Sequence, residues 1–401
     1  MLGKTNKICE LDDNARIFQG PERDLFRLEN MVWHGFTKRF AKFFQNLAEK
    51  DYEVGYLPVE QIEWAHTHGF LADRIPSYHL TEKNCDLYLS DYDYYRLWPL
   101  NNPYRIWIND KLTLKYILPA ERFSKVLPEY YYYIEERGVI PLMDWHGLVG
   151  VDGVVSLLKT KKVLAMKPVN GTESNDFYKL SEVNGSLFVN EKLMSEGDFC
   201  NFLNSKMHYI ITEYLIPGKE FKRIHEKIHT LRLLVLNDTG VSPSIVGGYL
   251  RFSTDGHGEA NHLRSSLDCQ ANFDFYTQIN IDTGEYGNSI LLYHDKVVPH
   301  PKHPDTNVLV EGVIPKYEEL KGKVLETASY LFQAEWMGFD IGLTDDGFKI
   351  MEINSHAGIQ MPQVTKPFWI NERLSPYLRK RLKILDELSA EEKLLRAEIP
   401  R

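Results

Sequence analysis

Residues 337–358, MGFDIGLTDDGFKIMEINSHAG, constrain the chain most, because they place acids in strands that otherwise read as core. Residues 339–344 and 348–354 read as two short strands around Asp345-Asp346-Gly347, whose glycine suits the left-handed position of a three-residue hairpin loop. That loop pairs Thr344 with Phe348, and counting back sets Asp340 opposite Glu352. Side chains alternate along a strand, so Asn354 shares their face. Two carboxylates opposite one another repel unless a cation lies between them. Hard oxygen ligands of this kind suit Mg²⁺, which takes one or two carboxylates together with substrate phosphates. The competing reading is the solvent side of a half-exposed hairpin.

With 401 residues the chain exceeds one compact core, so two or three domains are expected. A composition of 43% hydrophobic and 26% charged residues is that of an ordinary soluble globular protein. The net charge of -9 and pI of about 5.9 argue against nucleic acid as the main partner, while leaving room for local basic patches around phosphates. Cys9, Cys85, Cys200 and Cys269 are widely spaced without a CxxC pair, as in a reduced cytoplasmic protein without a zinc site. The 14 histidines include His66 and His68 but no HExxH. Residues 139–158, the most apolar stretch, are broken by Asp144, His146 and Asp152, so no membrane span is expected. MLGKTNKICELDDNAR lacks the apolar centre of a signal peptide, and the expected location is the cytoplasm.

The pattern divides the chain into five parts. Residues 1–75 read as an amphipathic helical extension and 76–160 as an aromatic-rich region with a helix from Asp110. Residues 161–218 carry strands that end in a hinge, and 219–370 hold further strands, a helix and the acidic hairpin. Residues 371–401 form a charged C-terminal helix, either a solvated face or a packing strut. The run Tyr130 to Tyr133 reads as packing rather than stacking on bases or sugars, because four consecutive rings point in several directions. Strands with inserted helices make the fold class α+β.

Other chemistry-bearing residues follow a fixed order. "DKLTLK" sets Lys111 and Lys115 one helical turn apart, and Lys167 ends a strand before Pro168 and a loop with Gly171. A strand-end lysine beside a turn is a common phosphate ligand. "ITEYL" ends a strand in Glu213-Tyr214-Leu215, and Glu220 follows seven residues after Glu213. Lysine helix, strand lysine, Glu-x-Leu hinge and paired carboxylates with Glu-x-Asn together resemble the ATP-grasp superfamily, the fold of D-alanine–D-alanine ligase. The sequence is more similar to the sugar-transfer-associated ATP-grasp proteins of cell-surface polysaccharide biosynthesis. "YLSDYDYYRLWPLN", "NDKLTLKYIL", "TLRLLVL", "YLRFS", "IDTG", "HPDT", "GVIP" and "FDIGLTDDGFKIMEIN" carry that likeness, over residues 87–363.

The resemblance implies an ATP-grasp fold: two α+β subdomains, 161–218 and 219–370, gripping ATP. It implies that Lys115 and Lys167 contact ATP phosphates, and that the backbone of Glu213 and Leu215, around Tyr214, binds the adenine edge. Glu220 would hold the ribose, and Asp340, Glu352 and Asn354 would coordinate Mg²⁺. Arg232 and Arg251 lie on strands of the same body, where their planar forks suit a carboxylate or phosphoryl oxygen. His303, in "KHPDT", would close over the site. Two departures from the family pattern stand out. The loop "KPVNGTESNDFY" keeps only Gly171 of the usual glycines, with Ser174 and Asn175 as substitute donors, and Tyr276-Thr277 replaces a glycine pair of the acceptor pocket.

An amide ligase first makes its carboxylate into an acyl phosphate, which an amine then attacks, so no nucleophilic side chain is required. The chain accordingly has no GxSxG elbow. The expected function is an ATP-dependent carboxylate–amine ligase. It would join an amino acid or amine to a sugar acid or peptide of a surface polysaccharide or its precursor. The resemblance also leaves room for contact with other enzymes of polysaccharide biosynthesis. Two alternatives are a phosphotransferase acting on a hydroxyl and a non-catalytic nucleotide-binding module.

Overall fold

The computed structural model describes residues 26–171, 176–254 and 273–399. Two antiparallel sheets dominate it. The smaller has the order β2-β1-β7-β3-β4-β5-β6, from β1 (Tyr130–Glu135), β2 (Gly138–Pro141), β3 (Val163–Pro168), β4 (Tyr178–Val183), β5 (Ser186–Val189), β6 (Lys192–Met194) and β7 (Tyr209–Glu213). The larger has the order β12-β11-β10-β9-β8-β14-β15, with β13 (Gly312–Val313) beside β11. Its strands are β8 (Thr230–Leu236), β9 (Ser244–Phe252), β10 (Asp274–Ile279), β11 (Glu285–Leu292), β12 (Val297–Pro299), β14 (Trp336–Thr344) and β15 (Gly347–Asn354).

Each sheet is covered by helices that the apolar spacing builds. Val154, Leu157 and Leu158 of the helix Val151–Lys161 and Phe199 and Leu203 of Glu196–Asn204 close the core of the small sheet. Tyr131 and Tyr132 lie in that core and Tyr130 in the next one, so the tyrosine run packs as expected, with a bulge between Tyr130 and Tyr132 turning two consecutive rings into one core. On the large sheet, Leu320, Val324 and Ala328 of the helix Tyr317–Tyr330 cover Leu231, Leu233, Phe339 and Ile341.

The opposite face of the large sheet changes character along its strands. On β8, Thr230 and Arg232 share a face with Leu234 and Leu236, and on β14 Trp336 shares one with Asp340. The apolar half, Leu234, Leu236, Val246 and Trp336, is buried under Phe40, Leu97, Trp98 and Leu100 from the N-terminal side and Leu374, Tyr377 and Leu378 from the C-terminal side. The N-terminal helices therefore share a core with the large sheet. Among them, Lys38–Val54 is capped by Thr37, whose Oγ1 accepts from Phe40 N–H, and ends at Gly55 in the left-handed region. Asn101 fastens the junction, accepting from the N–H groups of Glu335 (2.7 Å) and Trp336 (3.0 Å). The polar half of the same face is left open and becomes the floor of a cleft.

Three expectations need correction. The C-terminal segment forms two helices, Leu374–Asp386 and Ala390–Ala397, because Ser389 starts a new capping box with Glu392. The small sheet begins at β1, since β1 pairs with β7 from Tyr130 on, and so takes in residues assigned above to the 76–160 region. The acidic hairpin turns on two residues, with Thr344 opposite Gly347 rather than Phe348. A bulge between Asp340 and Ile341 then restores the register, and Asp340 does stand opposite Glu352. The two displacements cancel. Residues 1–25, Ser174 and Asn175 lie outside the described residues.

Candidate active site

The two sheets enclose a cleft of about 520 Å³. From the large sheet it receives Thr230, Arg232, Arg251, Asp340, Met351, Glu352 and Asn354; the small sheet contributes Ala165, Lys167, Tyr209, Thr212 and Glu213, followed by Tyr214 and Leu215. Strand alternation explains why the polar residues of the large sheet converge. Asp340 pairs with Glu352 on one side and Arg232 on the other, and Arg232 pairs in turn with Tyr249, two residues from Arg251. A row of charges thus crosses four neighbouring strands.

The acids are held tightly. Arg232 grips Asp340 with two donors, Nη2 to Oδ2 at 2.7 Å and Nε to Oδ1. The Asn354 amide Nδ2 donates to Asp340 Oδ2 (3.2 Å) and Glu352 Oε1 (3.1 Å). Lys111 Nζ lies 2.9 Å from Glu352 Oε2. Burial alone would raise both carboxyls. For Glu352 the Lys111 ammonium and the neighbouring hydrogen bonds outweigh it and hold the group ionised, whereas Asp340 is pushed upward by burial and by the Glu352 charge against the pull of Arg232. Lys167 Nζ donates to Met351 O at 3.4 Å, and burial, followed by the nearby Lys111 charge, lowers its amine to about 8.

Lys111 occupies the place foreseen for Lys115. The helix Lys111–Ile117 starts at Asp110, whose Oδ1 accepts from Thr113 N–H (2.7 Å) while Oδ2 accepts from Asn170 (2.8 Å). Lys111 N–H donates to Val169 O at 3.1 Å, and Asn109 clasps Ser355 through two bonds of 2.9 Å. This short segment therefore bridges the loop after β3 and the end of β15, which aims Lys111 at Glu352. Lys115, one turn on, pairs with Asp144 and does not line the cleft.

The profile of the family described as sugar-transfer associated ATP-grasp matches residues 96–375, well over half of the chain. The chain belongs to that family. No curated protein matches it. Among solved structures, D-alanyl-alanine synthetase A from Vibrio cholerae is 13% identical, covering 70% of this chain and 66% of its own, with a TM-score of 0.40. D-alanine–D-alanine ligase from Bacillus anthracis is 14% identical over 73% of this chain and 69% of its own, at a TM-score of 0.35. L-amino acid ligase from Bacillus licheniformis is 9% identical over 73% of this chain and 51% of its own, at 0.36. The match thus spans just under two thirds of the synthetase and about half of the L-amino acid ligase.

In this ATP-grasp chain the end of β7 and the residues after it line the cleft with Glu213, Tyr214 and Leu215. Glu213 N–H is bonded to Glu129 O at 2.8 Å, and Glu213 O accepts from Thr212 Oγ1 at 3.1 Å, which leaves that carbonyl one further lone pair for a ligand edge. Ala165, Leu215, Ile228 and Met351 give that end apolar walls suited to a planar base. Glu220, expected on a ribose, instead sits exposed on the helix Lys219–Lys222 and pairs with Arg223 at 3.7 Å. His303 is fully buried behind β9, not over the cleft; its Nε2 bonds Ser253 O at 2.8 Å. Its place beside Pro301, Pro304 and the apolar side of β10 draws it into the core, stacked on His225.

Two cleft residues were not singled out from the sequence. One is Lys111 as the inward member of its pair. The other is His356, in the turn just beyond β15, which lines the same cleft as Asn354. Its Nε2 accepts from Leu100 N–H (3.3 Å), so Nδ1 carries the proton toward Ser355 Oγ (3.2 Å). Burial, then the nearby Arg105 and Arg39 charges, keep this ring neutral, with its pKa lowered to about 3. Among the described residues, no helix is long and apolar enough to cross a membrane.

Proposed function

We propose that the cleft binds ATP with Mg²⁺ and that the chain is an ADP-forming carboxylate–amine ligase. It would act in the cytoplasm on a cell-surface polysaccharide or its precursor, with a sugar acid or peptide carboxylate and an amino acid or amine as substrates. One observation carries the reading. Asp340 and Glu352 stand side by side on adjacent strands, faced by Lys111, Lys167 and Arg232. An acid pair inside a ring of cations is what a metal–triphosphate complex requires.

The donor set fits Mg²⁺: two carboxylates and one amide, all hard oxygen ligands, with Glu352 ionised by its surroundings. Asn354 now donates to both acids, and a half-turn of its amide presents Oδ1 in place of Nδ2. Bound there, the ion would neutralise charge that gathers on the transferred phosphoryl oxygens. Lys111 and Lys167 would hold the phosphates, and the Glu213 carbonyl and Leu215 N–H the adenine edge. Arg232 braces Asp340 and faces the phosphoryl group, while Arg251 lies toward the acceptor.

In the proposed reaction the substrate carboxylate attacks the terminal phosphorus and ADP leaves. The amine then attacks the acyl carbon, the bond from that carbon to the phosphate oxygen breaks with its electron pair leaving on phosphate, and the nitrogen gives up a proton, which the departing phosphate can take. The developing oxyanion calls for a fixed donor rather than a nucleophile, and the arginines of the large sheet supply one. Lys115, Glu220 and His303 take no part in this scheme.

The test is a screen of purified protein for ADP release over a panel of sugar acids, amino acids and amines. The ligase reading expects ADP and free phosphate in equal amounts, with both a carboxylate and an amine required. ADP release that leaves the phosphoryl group on a hydroxyl makes the protein a kinase. No turnover over the whole panel, with ATP still bound, favours a binding module.

A further inference from the structure

Away from the cleft, a second group of donors gathers behind β9. A ring nitrogen of His225, a ring nitrogen of His303 and a carboxylate oxygen of Asp305 all lie within 4.8 Å of one another. His225 is 5% exposed and His303 fully buried, while Asp305 reaches the surface. The two imidazoles stack with centroids 4.9 Å apart, and the rings of Phe252 and Phe275 flank His303 at 6.3 and 5.2 Å. These donors come from distant stretches of chain. His225 follows the helix Lys219–Lys222 on the segment that joins β7 to β8, whereas His303 and Asp305 lie between β12 and β13.

Hydrogen bonds orient the cluster. Asp305 N–H donates to His303 Nδ1 at 3.3 Å, so Nε2 carries the proton and donates to Ser253 O at 2.8 Å. A backbone carbonyl that holds the far N–H is a common way of fixing a metal-bound histidine. The Nδ1 atom with its lone pair lies 3.9 Å from Asp305 Oδ2. His225 Nδ1 accepts from Lys227 N–H at 3.2 Å, a long contact that an ion would replace, either directly or after the proton moves from Nε2 to Nδ1. Thr306 Oγ1 donates to Ile224 O at 2.8 Å and ties the two loops together beside the donors. Next along the chain from the Ser253 carbonyl, Thr254 is 2% exposed, and its Oγ1 has no hydrogen-bond partner among the described residues.

We propose that His225, His303 and Asp305 form a binding site for a divalent transition metal of the Zn²⁺ class. Two imidazoles and a carboxylate favour such an ion over Mg²⁺, which seeks oxygen ligands alone. Tetrahedral Zn²⁺ at its usual bond lengths sets ligand atoms about 3.3 Å apart, so donors within 4.8 Å of one another need only a small contraction. A water completes the fourth position. The ion would clip the segment between β7 and β8 to the loop after β12, bracing the chain where it passes from the small sheet to the large one. The site is independent of the ligase reading, and its residues show no ligand spacing along the sequence.

The test is calorimetric titration of the full chain with Zn²⁺, after dialysis against EDTA and in excess Mg²⁺ so that sites made of oxygen alone are filled. The expected result is one saturable equivalent of Zn²⁺, weakened about 10-fold or more in both His225→Gln and Asp305→Ala, since even the outer partners of a bound metal are worth that much. Zn²⁺ should also raise the melting temperature of the wild type more than that of either variant. No saturable binding overturns the proposal. Equal Zn²⁺ affinity in the wild type and both variants places the ion elsewhere and overturns it too. Should His225→Gln fail to fold, Asp305→Ala, at the surface, decides by the same criterion.

Discussion

The two sheets face one cleft with different chemistry. The large sheet brings Arg232, Arg251, Asp340, Glu352 and Asn354 to it, all from neighbouring strands, while the small sheet offers Lys167 and Glu213 at the two ends of a more neutral surface of Ala165, Tyr209 and Thr212. Core residues such as Phe199, Leu164 and Ile211 dominate the small sheet's remaining contacts. One wall concentrates charge and the other supplies shape. A wall of buried charges is a poor source of stability, because desolvation offsets much of the attraction within each pair. The large sheet tolerates it because the far half of the same face, around Trp336 and Leu234, is sealed by the N- and C-terminal helices.

This contrast can be broken at several points. Glu352→Gln should produce the largest effect, a loss of several kcal/mol of transition-state stabilisation, or about 10³-fold in turnover per folded molecule. Wild-type-like ADP release from that variant would remove the metal assignment from the large sheet. On the other wall, Phe199→Ala should cost about 3–5 kcal/mol of stability, read as a shift in the denaturant midpoint. Its nucleotide affinity, measured where the variant is still folded, should stay near that of the wild type. If Phe199→Ala instead lost nucleotide binding while stable, the small sheet would be more than a shaped wall.

Smaller effects sharpen the boundary. Lys111→Met should weaken AMPPNP binding by about 1.5–3 kcal/mol through loss of a charge-assisted contact, whereas Lys115→Met should change it far less. The reverse order in calorimetry would return the phosphate role to Lys115. Glu220→Ala, on an exposed helix away from the cleft, should stay within about 0.5 kcal/mol in both stability and nucleotide affinity. A clear affinity loss there would place the ribose against Glu220 in the bound state.

Much of the cleft was legible in the sequence because strand alternation is strict. Asp340, Glu352 and Asn354 followed from counting residues around a turn, and the count reached the right pair although the turn was a residue shorter than expected. A bulge compensated, and bulges leave no mark in the hydrophobic pattern. Lys111 and Lys115 were harder to separate, since residues four apart share a helix face. What decides between them is tertiary: Asp110 bonded to Asn170, and Asn109 bonded to Ser355. Glu220 and His303 were placed by order along the chain, which says nothing about whether a side chain turns toward the cleft or the core. The C-terminal break at Ser389 was visible in principle, as a serine three residues before Glu392.

The central claim is that the acid pair and its surrounding lysines receive ATP with Mg²⁺. Calorimetry of the full chain with AMPPNP, run with Mg²⁺, with EDTA, and on Lys167→Met, tests it most directly. The account predicts tight binding only with Mg²⁺, and a loss of about 1.5–3 kcal/mol in Lys167→Met, since the amine at the end of β3 lies close to both acids and would contact the bound phosphates. An affinity that is the same with EDTA and unchanged in Lys167→Met would contradict it.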